Sequence, residues 1–246
     1  MRILILSDIH GNLDALKAVL AHVDRWDEVF VLGDLVDYGP EPHHVIDIIK
    51  ELRPKIIVRG NHDHAVAFNA DCRCRSEIHD ISVYTRKNIT MKLLSHGQMK
   101  WLASLPLRTR IDLGNAIFYI VHGAPADPLY GYVEPKISDK ELREMIVNSI
   151  SLFNHDKTTG VILLGHTHIP FFRDLAGIKV FNPGSIGQPR DGDARASYGI
   201  LDLNKNVFKI YKVEYPVERT IRKLESFRLD KVYLMKLKKI LLTGVI

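Results

Sequence analysis

Five short polar motifs hold most of the residues in this chain that could do chemistry. They are Ser7-Asp8-Ile9-His10-Gly11-Asn12, Gly33-Asp34-Leu35-Val36-Asp37, Gly60-Asn61-His62-Asp63, His122-Gly123 and Gly165-His166-Thr167-His168. Asp8, Asp34, Asn61, His10, His122, His166 and His168 supply two carboxylates, one amide oxygen and four imidazoles, enough donors to ligate two divalent cations. Mixed nitrogen and oxygen donors without cysteine suit borderline metals. Manganese is the first expectation, with iron, zinc, nickel, cobalt and magnesium as alternatives. Two cations about 4 Å apart can share a hydroxide, lower its pKa and clamp phosphate oxygens during in-line attack. Phosphate esters suit such a site because their hydrolysis depends on positioning and charge neutralisation. In Asp8-x-His10 and His166-x-His168, the period-two alternation of an extended segment predicts both side chains on one side. The neighbouring glycines let the backbone turn sharply.

Each motif follows an apolar run that reads as a strand. Arg2–Leu6, Val29–Leu32 and Lys55–Val58 are short and almost wholly apolar, as strands buried on both faces are. Between them, Asn12 can cap one helix and Pro42 can open another. This alternation implies an α/β fold with a parallel sheet, whose ligand sites lie at the carboxyl ends of strands. From about residue 65 to 106 the pattern is helical, an insert placed to overhang the site, with Ser95 as a cap. Leu107–Leu113 and Ala116–Val121 read as a hairpin around Gly114-Asn115. Ser138 to Ile150 is expected to be a helix, with Ser138 and Glu141 at capping-box spacing. Val161–Leu164, Pro170–Asp174, Lys179–Phe181, Ser197–Leu203 and Val207–Val213 read as strands. The division expected is one domain over 1–215, with a helical extension over 216–246 packed on it.

Composition narrows the classes. The chain has 246 residues, 46% of them apolar, enough to bury a sizeable core. It contains no apolar run near the roughly 20 residues of a membrane helix. The start passes directly into Arg2-Ile3-Leu4-Ile5-Leu6, so a cytoplasmic protein without membrane association is expected. Two cysteines, Cys72 and Cys74, are too few for a disulfide framework. A net charge of +5 permits anionic substrates but falls short of the basic patch of a dedicated nucleic-acid binder.

Taken in order, the five motifs strongly resemble those of the calcineurin-like metallophosphoesterase superfamily, from Met1 to about Leu203. The resemblance implies a four-layer α/β/β/α sandwich of two mixed sheets. It implies that Asp8, His10 and His168 hold one metal, that Asn61, His122 and His166 hold the other, and that Asp34 bridges. It makes His62 the non-ligand histidine that protonates the leaving oxygen, oriented by Asp37 or Asp63. Asn182-Pro183-Gly184-Ser185 also resembles a family segment that packs near the site. The superfamily's protein phosphatases carry an Arg where this chain has Tyr38, so the chain resembles more the small prokaryotic phosphodiesterase-like branch. The loop His122-Gly123-Ala124-Pro125-Ala126-Asp127-Pro128 resembles that branch too, although Ala126 stands where an Arg is often found. Arg190 and Tyr38 are the candidate substrate contacts.

Other features have plainer readings. Cys72-Arg73-Cys74 with His79 could be a third metal site or a redox pair, but it lacks the four ligands of structural zinc and reads as two partly buried thiols. The basic tail reads as an amphipathic packing helix. Tyr130 and Tyr132 could stack on a nucleobase or simply pack. His22, His43, His44, His64 and His155 read as surface or supporting residues. The function expected is a phosphodiesterase acting on a small phosphoester, a nucleotide among the candidates, through a hydroxide shared by two metals; a homodimer is compatible with this. A phosphomonoesterase or dinucleoside-polyphosphate hydrolase is the alternative. A non-enzymatic scaffold of the same fold is disfavoured by the presence of His62, and a nuclease by the weak charge.

Overall fold

The computed structural model describes residues 1–149 and 159–246. Strands Arg2–Leu6 (β1), Glu28–Val31 (β2) and Ile56–Ile57 (β3) alternate with helices Leu13–His22 (α1) and Pro42–Glu51 (α2). A helical stretch follows: Asn61–Phe68 (α3), Ser76–Thr85 (α4), a π-helical turn over Arg86–Thr90, Met91–Leu93 (α5) and His96–Ser104 (α6). Next come the hairpin strands Arg108–Leu113 (β4) and Ala116–Val121 (β5), then helix Asp139–Ser149 (α7). Thr159–Leu163 (β6), Phe171–Asp174 (β7), Ile178–Asn182 (β8), Ala196–Asp202 (β9) and Val207–Val213 (β10) precede helices Val217–Ser226 (α8) and Lys231–Thr243 (α9).

Two mixed five-stranded sheets result, ordered β10-β9-β1-β2-β3 and β4-β5-β6-β8-β7. In the first, β1, β2 and β3 are parallel and β9 returns antiparallel to β1, with Leu4 opposite Val29 and Ile200. In the second, β5, β6 and β8 are parallel. The β4–β5 hairpin turns on Gly114, whose φ of 61° is the left-handed value that a two-residue turn needs. Ile3, Ile5, Phe30 and Leu32 of the first sheet meet Phe118, Ile120, Leu163 and Phe181 of the second in a buried layer. The outer faces take helices. Leu4, Leu6, Val29 and Val31 pack on α1 and α2, and Tyr119, Val121 and Ile162 pack on Leu142 and Ile146 of α7. This is the expected α/β/β/α sandwich. The near-continuous apolar character of β1 and β2 follows from their burial on both faces.

One difference from the expectations concerns local structure. Strand β3 is two residues long, and α3 begins at Asn61, so the third motif lies in the first helical turn rather than in a strand-end loop. The insert is helical as expected, in several segments joined through the π-helical turn, with Ser95 capping α6. Ser138 and Glu141 form the expected capping box on α7, whereas Ile150 and His155 lie outside the described residues. The tail packs on the insert: Ile221, Leu224, Leu237, Ile240 and Leu241 share a cluster with Tyr38, Ile78, Ile81 and Ile89. Lys223 on α8 ties it to the sandwich through Asp14 at 2.7 Å and Glu41 at 2.5 Å. Among the described residues, no helix is long and apolar enough to cross a membrane.

Candidate metal centre

The motif residues converge between the two sheets, where β1, β2, β3, β5 and β6 end. Asp8, His10, Asp34, Asp37, Tyr38, His166 and His168 all have positive φ, between 47° and 67°. That is unusual for residues with a Cβ and recurs at functional sites. It also corrects one sequence argument. Asp8 with His10, and His166 with His168, do aim at a common point. They do so from left-handed loop turns, not from the alternation of an extended strand. Close approach needs glycine here. A Cβ on Gly165 would lie 2.2 Å from Ser7 Oγ, and one on Gly60 would lie 2.0 Å from Asp34 Oδ1.

Hydrogen bonds fix which atoms face inward. His10 Nδ1 lies 2.9 Å from the Val36 carbonyl, His122 Nδ1 2.8 Å from that of Leu32, and His168 Nδ1 2.6 Å from that of Gln188. A carbonyl only accepts, so each Nδ1 carries the hydrogen and each Nε2 keeps its lone pair. Yet His10 Nε2 and His168 Nε2 face each other at 3.1 Å, and His168 Nε2 lies 3.2 Å from Asp8 Oδ1. Asn61 Nδ2 donates to the Cys72 carbonyl at 2.7 Å, which turns its Oδ1 toward His122 Nε2 at 3.1 Å. Asp34 Oδ2 is also 3.1 Å from His122 Nε2 and 3.7 Å from His10 Nε2. Acceptors thus point at acceptors.

Asp8 Oδ1, Asp34 Oδ2 and His166 Nε2 are buried without any hydrogen-bond donor. A buried unsatisfied acceptor costs about 1–3 kcal/mol, and several converging ones are relieved together by a cation. The donor atoms form two groups, Asp8–His10–Asp34–His168 and Asp34–His122–His166, each within 4.8 Å, with Asp34 in both. The residues present therefore fit divalent cations. Asn61 joins the second group by its contact with His122.

The charges agree with that fit. Burial first, then the charge of neighbouring His168, holds the His10 ring well below its ordinary pKa, and burial with the nearby His122 ring does the same for His166. Neutral imidazole is the ligand form. His122 goes the other way. Burial lowers it, but Asp34 outweighs burial and raises it to about 9. The negative potential that would hold a proton at its Nε2 is the potential that attracts a cation there.

His62 lies beside this cradle. Its Nδ1 is 3.0 Å from Asp37 Oδ2 and 3.2 Å from Ser82 Oγ. Of the two carboxylates offered as its partner, Asp37 meets the ring and Asp63 does not. Asp63 accepts from the backbone N–H groups of Asp34, Leu35 and Gly60 at 2.8, 2.8 and 3.0 Å, so it staples the second motif to the third. Arg86 of the insert grips Asp37 Oδ2 through Nε at 2.9 Å and Nη2 at 2.7 Å. Sequence reasoning missed Ser82 and Arg86, which sit four residues apart on helical backbone and carry no motif of their own.

The proposed substrate contacts separate. Arg190 stands next to the cradle: after burial, its charge is the main cause of the lowered His168 pKa. Gln188 Oε1 holds its guanidinium at 2.6 and 3.2 Å. Tyr38 is not placed to take phosphate. Its ring packs 4.9 Å from His10 and 5.0 Å from His62, and its hydroxyl donates to Cys74 Sγ. The Tyr132 ring packs against His166 at 4.1 Å between centroids, tilted by 39°, and Arg75 lies over the Tyr132 ring at 4.9 Å. Tyr130 takes Arg73. Ser185 Oγ donates to the Asp8 carbonyl, and Asn182 Nδ2 to that of Gly165, so this segment does pack against two ligand loops. His22 and His44 are exposed, and His43 and His64 are half-buried outside the cradle.

Residues 1–206 match the family model of the calcineurin-like phosphoesterase superfamily domain. The chain belongs to the calcineurin-like phosphoesterase superfamily. It is a phosphoric ester hydrolase by that membership. It is 31% identical over 247 residues to an uncharacterized protein of Methanocaldococcus jannaschii, covering 93% of this chain and 94% of that one. It is 28% identical over 217 residues to the phosphodiesterase YfcE of Escherichia coli, covering 82% and 88%. The crystal structure of a metallophosphoesterase from Sphaerobacter thermophilus superposes with a TM-score of 0.80 at 31% identity, covering 100% of this chain and 99% of that one. The sandwich serves in this member of the calcineurin-like superfamily to bring strand-end loops from two sheets to one edge.

Proposed function

We propose that this chain is a phosphodiesterase holding two divalent cations, manganese first among them. Asp8, His10 and His168 would hold one, and Asn61, His122 and His166 the other, with Asp34 shared. When bound, such a pair supplies Lewis acidity, charge to neutralise phosphate oxygens, and water of lowered pKa. The rest of the work falls to the chain. Asp37 and Ser82 take Nδ1 of His62, leaving Nε2 to meet a substrate. As water adds to phosphorus and the ester P–O bond breaks, protonated His62 gives the leaving oxygen its proton, so the products are an alcohol and a monoester. Arg86 holds Asp37 in place. Arg190 steadies a phosphate oxygen on the His168 side.

The observation that carries this reading is the His62–Asp37 pair beside acceptors that face each other. The preference for diesters is supported by the scarcity of cations. A diester carries one negative charge where a monoester carries about two, and at this site Tyr38 stands where an arginine would serve the second. The name of the Escherichia coli relative, a phosphodiesterase, supports the same choice.

The test is metal content by mass spectrometry alongside turnover of bis(p-nitrophenyl) phosphate and p-nitrophenyl phosphate with Mn²⁺. Two ions per chain and faster diester turnover are expected. Faster monoester turnover would favour the monoesterase alternative, and no bound metal with no turnover would sink both.

A further inference from the structure

Cys72 and Cys74 are free thiols, both buried, between the insert and the metal cradle. In extended chain, side chains two residues apart sit about 7 Å from each other. Here Arg73 between them has a φ of 48°, in the left-handed region, and its N–H donates to Asp71 Oδ1 at 2.9 Å. His79 Nε2 meets the same oxygen at 2.8 Å. The turn brings the two sulfur atoms to 2.7 Å. A non-glycine residue held there costs on the order of 1 kcal/mol and persists where its surroundings over-determine it.

The pair touches the site on three sides. The Cys72 carbonyl accepts from Asn61 Nδ2, the bond that aims Asn61 Oδ1 at His122. Cys72 Sγ lies 3.4 Å from Ser82 Oγ, which also meets His62 Nδ1. Cys74 Sγ accepts from the Tyr38 hydroxyl, and the Tyr38 ring packs on His62. The proposed hydrolysis uses neither sulfur.

The geometry points to a reversible modification site, at which Cys72 and Cys74 close to an intramolecular disulfide by exchange with a small-molecule disulfide, and the closure detunes Asn61 and His62. This inference rests on the roles given to those two residues above. One of the two sulfurs, as thiolate, displaces one thiolate from the incoming disulfide, forming a mixed disulfide. The other, as thiolate, then displaces the second. Two protein thiols are oxidised, the small disulfide is reduced to two thiols, and these take up the two protons. The new bond is about 2.05 Å long, so the sulfurs must draw together and carry the Cys72 backbone with them.

The test uses the full chain loaded with Mn²⁺ and treated with oxidised glutathione, then unfolded in an alkylating reagent and weighed. The expected result is both cysteines unalkylated, no glutathione retained, and full reversal by dithiothreitol. Alkylated thiols or a lasting glutathione adduct would overturn the site. Calorimetric Mn²⁺ titration then reads the coupling: affinity is expected to weaken about tenfold on oxidation, as for loss of a contact that orients a ligand. Diester turnover is expected to fall with it. Cys74→Ala should bind Mn²⁺ equally well with and without oxidant. A disulfide that forms without moving the Mn²⁺ affinity, or a Cys74→Ala chain that still responds, would overturn the coupling. Absence of turnover in both redox states would count against the phosphoesterase reading instead, because the thiol count and Mn²⁺ titration do not depend on it.

Discussion

The cradle and its cover are built differently. In the cradle, backbone positions nearly every donor. Ring nitrogens are pinned by the carbonyls of Val36, Leu32 and Gln188, and the ligand loops turn in left-handed conformations over glycine. In the cover, formed by the insert and the tail, side chains reach the site through other side chains, as Ser82 reaches His62 and Arg86 reaches Asp37. The cavity beside His10, walled by Tyr38, Leu237 and Leu241, is about 10 Å³, room for about one water. The contrast teaches a division of labour: a cradle fixed by backbone sets what binds, while a cover held by side-chain contacts sets how His62 is aimed.

The comparison is broken most directly in the cradle. Asp34→Asn removes the shared carboxylate, and diester turnover is expected to fall on the order of 10⁴-fold or more as the cations are lost. Stability measured with metal present should fall as well, because the cations bind only the folded cradle. In wild type, metal at a hundred times its Kd should add about 2.7 kcal/mol that EDTA removes. An Asp34→Asn chain that still loses stability in EDTA would show the cations to be held elsewhere.

Next comes His62, where cradle and cover meet. His62→Ala is expected to lower turnover by about 10²- to 10⁴-fold, the range of a lost general acid. Metal content should stay unchanged, because no cradle donor is removed. Metal loss in this variant, read by mass spectrometry, would make His62 a ligand.

Arg86 tests the cover alone. Arg86→Lys keeps the charge beside Asp37 but cannot reproduce the two contacts of the guanidinium fork. Turnover should fall about tenfold at unchanged Mn²⁺ affinity, since Asp37 and His62 would be aimed less well. An equal fall in Mn²⁺ affinity would mean that cradle and cover are not separable.

The same division explains what was legible in the sequence. Cradle residues were legible because each follows an apolar strand run, and parallel strands deliver their ends to one edge. Ser82 and Arg86 were not, because only tertiary packing brings α4 and the π-helical turn onto Asp37. Asp63 was misread for a local reason. Its place beside His62 suggested catalysis, yet Gly60-x-x-Asp63 has the spacing of a helix N-terminal box, and the carboxylate does take the Gly60 N–H. Tyr38 was read from the family position alone, which could not show that a left-handed turn points its hydroxyl at Cys74.

The smallest expected effect lies in the loop after β5, where Tyr132 meets the cradle without sharing a polar contact. Tyr132 lays its ring on His166, yet its hydroxyl is buried with no partner. Burial pushes its ionisation above the ordinary phenol value, so the group is a neutral hydroxyl whose donor and acceptor are both unused. Removing an unsatisfied buried hydroxyl while keeping the ring should stabilise the protein by about 1 kcal/mol. Tyr132→Phe is therefore expected to raise the denaturation midpoint slightly and to leave diester turnover within about twofold. Packing alone would then account for the residue. A large loss of turnover at normal stability would instead mean that the hydroxyl finds its partner in the bound substrate. In that case the loop after β5, and not the cradle alone, would help choose what is hydrolysed.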